Sequence, residues 1–98
     1  MMPLLLAALL AQAQPSPTVV VYMKNFAFVP ATVHVKPGDV VEWINDDTDA
    51  HSVDSSNKIF ASGGLDTHDT WTHVFKASGS FAYFCDLHPY MKGTVIVK

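Results

Sequence analysis

Between Thr18 and Lys98 no stretch repeats its apolar residues at helical spacing; they alternate in short runs cut by turn residues. Thr18 to Lys24 is rich in β-branched residues. Thr32 to Lys36 puts Val33 and Val35 on one face and polar residues on the other. Pro37-Gly38-Asp39 is a turn, and Val40 to Asn45 comes next as a strand. Thr70 to Lys76 alternates aromatic and polar positions before a turn at Ala77-Ser78-Gly79. Ser80 to Cys85 is apolar at both parities, which predicts a strand buried on both faces. Gly93 to Lys98 is the last strand. Between His51 and Asp69 the signals weaken, with Lys58-Ile59-Phe60 the one candidate strand. Short strands at regular spacing predict an antiparallel sandwich or barrel, and the 98 residues suffice for one domain.

The chain begins with an apolar run, Pro3 to Ala11, that ends in a small-x-small site at Ala11-Gln12-Ala13. That shape predicts a secretory signal peptide at 1–13 and a single domain at 14–98. The run is too short to span a bilayer, so stable membrane insertion is not expected. Six lysines, no arginine and nine acidic residues are scattered, with a mild acidic cluster at Asp46, Asp47 and Asp49. Nucleic acid is excluded as a partner because no basic patch exists to meet it.

Exported proteins usually pair their cysteines, but this chain has only Cys85, so no internal disulfide can form. A lone cysteine in that setting is a reactive thiol, a metal ligand or a small buried apolar residue. The neighbouring residues decide between these. His88 lies three residues after Cys85, and Met91 three after His88, in a loop that leaves a strand and is stiffened by Pro89. Taken singly, Cys85 reads as a core thiol, His88 as a surface histidine and Met91 as a core filler. Together, at this spacing, they point to a metal site. A thiolate, imidazoles and a thioether suit copper in both oxidation states: nitrogen satisfies Cu(II) and soft sulfur satisfies Cu(I). One more nitrogen must come from elsewhere, and His51 is well placed after Asn45-Asp46-Asp47-Thr48-Asp49. His34 shares a face with Thr32 and Lys36, and His68 sits in a polar loop. His73 shares parity with Trp71 and Phe75, so partial burial without ligand neighbours is expected. Trp43, Phe28, Phe81 and Met23 read as core.

Rival chemistries lack their parts. Structural zinc wants several Cys and His, a thiol peptidase wants a full nucleophile–base–oxyanion set, and a disulfide oxidoreductase wants a CxxC pair. A binuclear copper centre wants a second cysteine, and an oxygen-reducing cluster wants histidines flanking Cys85, where Phe84 and Asp86 stand. No enzyme activity is expected.

From about Val19 to Lys98 the chain resembles the cupredoxins, the small blue copper proteins. The resemblance is carried by Phe28-Val29-Pro30, by Val33-x-Val35-x-x-Gly38-Asp39-x-Val41-x-Trp43-x-Asn45 and by His51-x-Val53. Gly79-x-Phe81-x-Tyr83-x-Cys85 and the loop Cys85-x-x-His88-Pro89-Tyr90-Met91 complete it. It implies an all-β, antiparallel Greek-key sandwich with little or no helix and with copper near one end. It also implies His51, Cys85 and His88 as strong ligands and Met91 as a weak axial one. The implied function is that of an exported, monomeric one-electron carrier, plastocyanin-like in its role; copper storage or delivery is the alternative. His88 would be the electron exit, ringed by Leu87, Pro89 and Tyr90 as the docking patch for redox protein partners. Relatives carry Asn directly after the first histidine, where this chain has Ser52. The shorter side chain leaves the tie between that segment and the ligand loop in question.

Overall fold

A computed structural model of the chain describes residues 16–98; the signal peptide expected at 1–13 lies outside the described residues. Eight strands run in order: β1 Val19–Lys24, β2 Ala27–Val29, β3 Thr32–Val35, β4 Asp39–Asn45, β5 Asp54–Ser55, β6 Thr70–Phe75, β7 Gly79–Phe84 and β8 Lys92–Val97. They form two four-stranded sheets, β2-β1-β4-β6 and β3-β8-β7-β5. No helix occurs among the described residues, and none is long and apolar enough to cross a membrane. The β-sandwich expected from the alternating runs is present.

The pairing is not antiparallel throughout. β1 runs parallel to β4, with Val21 opposite Trp43, and β3 runs parallel to β8, with Val33 opposite Val95. The chain changes sheet between β2 and β3 and again between β3 and β4. Because of these crossings, β1 meets β4 and β3 meets β8 as neighbours distant in sequence, free to run parallel, while the consecutive pairs β1–β2 and β7–β8 are antiparallel. The alternation itself holds. Val21 and Met23, Val33 and Val35, and Val95 and Val97 point inward and are buried, while Tyr22, Lys24 and His34 point out.

Two strand expectations need correction. β7 is not buried on both faces. Tyr83 is buried and Phe81 half-buried, but Ser80 and Ala82 are exposed and Phe84 only half-covered, because a sandwich covers one side of each sheet. The strand expected at Lys58-Ile59-Phe60 is a turn region; the short β5 lies earlier, at Asp54–Ser55, and pairs with the end of β7. Ile59 is 58% exposed, and only Phe60 of that triplet reaches the core.

The core is aromatic where it meets the functional end. Trp43 packs edge-on against Tyr83, and Tyr83 edge-on against Phe28, with ring centroids 5.4 and 4.7 Å apart. Tyr83 lies directly across from Gly93 on β8. A Cβ at Gly93 would stand 2.2 Å from the Tyr83 ring, so glycine is what lets that ring seat. Burial pushes the Tyr83 phenol up to about 12, despite the opposing influence of Trp43. Trp43 Nε1 and Tyr83 Oη have no hydrogen-bond partner, a desolvation cost carried by the aromatic packing around them.

Candidate metal centre

Three segments meet at one end of the sandwich: the loop after β4, the loop after β7 and the β1–β2 turn. The first is shaped by Asn45, fully buried at the end of β4. Its amide donates to the carbonyls of Asp49 and Leu65, both at 2.9 Å, and its oxygen accepts from the Asp47 N–H at 2.8 Å. These bonds coil 45–49 and deliver His51 to the interior. His51 is held there by a backbone pair with Leu65 and is 0% exposed.

The second loop explains the spacing read from the sequence. The His88 N–H donates to the Cys85 carbonyl at 3.2 Å, and the Met91 N–H to the His88 carbonyl at 2.9 Å. These are two successive turns, each spanning three residues. The Cys85 N–H donates to the Met91 carbonyl at 3.1 Å and closes the loop. Cys85, His88 and Met91 therefore stand at the corners of one compact coil. Cys85 and Met91 are buried, and the His88 side chain is about a quarter exposed.

His51, Cys85 and His88 converge. The two Nδ1 atoms are 3.2 Å apart, and Cys85 Sγ lies 3.7 Å from His51 Nδ1 and 3.8 Å from His88 Nδ1. Among the described residues this is the group of His, Cys and acidic side chains arranged to hold a metal ion. A circle through those three atoms has a radius of about 2.1 Å, the length of ordinary bonds from a first-row metal to imidazole and thiolate. The triangle is therefore sized for an ion near its centre, and the two nitrogens and one sulfur fit a type 1 copper site. His34 is exposed on β3 and His68 in a loop. His73 is half-buried against Trp71, Phe60 and Phe75 with its pKa lowered by burial, so it stays outside the site as expected.

The surrounding bonds prepare the ligands. Asp47 Oδ2 accepts from His51 Nε2 at 2.8 Å. A carboxylate can only accept, so the proton sits on Nε2 and the Nδ1 lone pair faces the other two ligands. The same carboxylate accepts the N–H of Asn25 at 2.7 Å and of Phe26 at 2.9 Å. Desolvation works to raise the Asp47 pKa, but the bonds from Phe26, His51 and Asn25 outweigh it and hold the carboxyl below its usual value. The sequence showed Asp47 only as part of an acidic cluster. Its orienting role depends on a turn more than twenty residues away.

Ser52 closes the question raised by its short side chain. Its Oγ accepts the N–H of Asp86 at 2.9 Å and donates to Asp54 at 2.5 Å, while its own N–H points at Cys85 Sγ at 3.4 Å. The hydroxyl thus reaches the ligand loop one residue past the cysteine, and the backbone supplies a donor to the sulfur.

A family model described as a cupredoxin-like domain matches residues 1–97. The chain belongs to the cupredoxin-like family. It is 33% identical to amicyanin from Paracoccus versutus over 86% of its own length and 67% of that protein's. Among solved structures, a Cu(I) form of an amicyanin variant superposes with a TM-score of 0.80 at 26% identity, covering 90% of this chain and 88% of that one. A purple cupredoxin from Nitrosopumilus maritimus gives a TM-score of 0.76 at 28% identity, covering 82% of this chain and 99% of that one.

Proposed function

We propose that the protein carries single electrons on one copper ion held by His51, Cys85 and His88, with Met91 as the axial ligand. The convergence of two Nδ1 atoms and one sulfur within 3.8 Å of each other carries the reading. Copper supplies the chemistry when bound, by changing between Cu(II) and Cu(I). The chain's own contribution is to hold the donors still. Bonds from Asp47 to His51, from the Ser52 N–H to Cys85 and across the closed 85–91 loop are fixed by the protein, so neither oxidation state has to reorganise them. Three of the four ligand side chains, His51, Cys85 and Met91, are fully buried, which favours keeping the ion over exchanging it.

His88 supports a route outward. Its Nδ1 faces the other ligands, while its Nε2 lies 4.0 Å from the exposed Asp49. Around it Leu87 and Tyr90 are 56% and 67% exposed and Pro89 is also exposed. An apolar ring of this size favours brief encounters with redox protein partners by a monomeric carrier. The apolar start and the site at Ala11-Gln12-Ala13 support export to the periplasm.

Cyclic voltammetry of the copper-loaded protein tests this. One reversible one-electron wave is expected; reduction that expels the metal overturns the carrier reading. His88→Gly should keep copper yet respond to added imidazole, and indifference to imidazole removes His88 from the ligand set. Met91→Leu should move the potential while leaving copper-free stability within about 1.5 kcal/mol.

A further inference from the structure

The two-residue turn between β1 and β2 is built against expectation. Lys24 pairs with Ala27, so Asn25 and Phe26 are its central residues, and both have positive φ, 52° and 57°. Asparagine tolerates the left-handed region. Phenylalanine does not, and glycine is the residue such turns favour at the second position. Nor does core packing account for the aromatic, because Phe26 remains 39% exposed.

What the ring touches is the metal centre. It meets His51 edge-on at 5.5 Å between centroids and His88 edge-on at 5.0 Å, while the two histidines meet each other edge-on at 5.0 Å. The three rings form a closed set with the phenyl on the outside. The backbone that carries it is pinned by Asp47, whose Oδ2 also holds His51 Nε2. One oxygen therefore fixes both the cap and one of the rings it covers.

We propose that Phe26 is a positioning residue of the metal centre: its ring, held out of its backbone preference by Asp47, braces the His51–His88 pair in the ligating arrangement. The inference rests on the copper reading above. Strained backbone is retained where the surroundings over-determine it, and here the surroundings are the ligand histidines and their orienting carboxylate. His88 is the one partly exposed ligand, about a quarter open on its loop, so it gains most from a brace on its open side.

The test is Phe26→Gly, which leaves Asn25 followed by the residue this turn favours. The copper-free variant should melt no lower than the wild type, because relief of the turn offsets the lost contacts. Transfer of Cu(I) from the loaded variant to a chelator should be about tenfold faster, the loss expected from two edge-on ring contacts. Phe26→Tyr should restore the wild-type rate. Release within twofold of wild type overturns the proposal. Faster release together with an equally lowered copper-free melting point also overturns it, since the ring then serves packing alone. A wild-type chain that takes up no copper overturns the metal reading itself, and the brace with it.

Discussion

Asp47→Ala is the substitution whose consequences the structure fixes most closely. The carboxylate accepts three hydrogen bonds: from Asn25 and Phe26 in the turn and from His51 Nε2. The turn donors are exposed, so water replaces the carboxylate and each lost bond costs about 0.5–1 kcal/mol. The His51 ring is 0% exposed. Its stranded Nε2–H has no water to turn to, which costs about 1–3 kcal/mol. The copper-free variant should therefore lose about 2–5 kcal/mol, out of roughly 5–10 available to a domain of this size. Urea denaturation measures this directly, and the slope against urea should not change, since the surface exposed on unfolding is the same. Melting should fall by on the order of 10 °C or more. Asp47→Asn keeps one acceptor oxygen and should lose about half as much. Combined with Phe26→Gly the loss should shrink, because a relaxed turn needs less holding. A copper-free Asp47→Ala protein within about 0.5 kcal/mol of wild type would refute the clamp, as would full additivity of the pair.

Ser52→Ala strands the Asp86 N–H and removes the donor to Asp54. A loss of about 1–3 kcal/mol in copper-free denaturation and a shifted copper potential are expected, with an unchanged potential counting against Ser52 as the tie to the ligand loop. Gly93→Ala drives a methyl into the Tyr83 ring, two residues before Cys85. It should cost about 1–3 kcal/mol or more by thermal melting, and a variant as stable as wild type would show that Tyr83 has room to move. Burial lowers the His73 pKa below 6.5, so the unfolded chain binds this proton more readily than the folded one. Stability from this group is complete above the unfolded value and falls as pH drops below it; His73→Phe should flatten that part of the pH–stability curve, and an unaltered slope would remove His73 as its source.

Much of the fold is legible in the chain because it is local. Alternation at Val21 and Met23, Val33 and Val35, and Trp71, His73 and Phe75 needs only the two-residue period of a strand. The Cys85, His88 and Met91 spacing needs only two successive turns. What the sequence hides depends on partners brought together by folding. Parallel pairing of β1 with β4 results from where the chain changes sheet, which alternation does not encode. Ala82 and Phe84 look like core but lie on the outer face of β7, because much of a folded protein's surface is itself apolar. Asp47 reads as solvated charge until the Asn25–Phe26 turn is placed over it. Phe26 carries no sequence signal of left-handed backbone at all. Ser52 looks too short beside the asparagine of relatives, and only the Asp86 N–H at 2.9 Å shows that it reaches.

The metal centre stands or falls with the sulfur of Cys85, and the visible spectrum of the Cu(II)-loaded protein reports on that atom. An intense thiolate-to-copper charge-transfer band is expected, and it should vanish in Cys85→Ser even where that variant still takes up copper. Stoichiometric copper without such a band in the wild type, or a band that survives Cys85→Ser, would place the ion elsewhere and contradict the site.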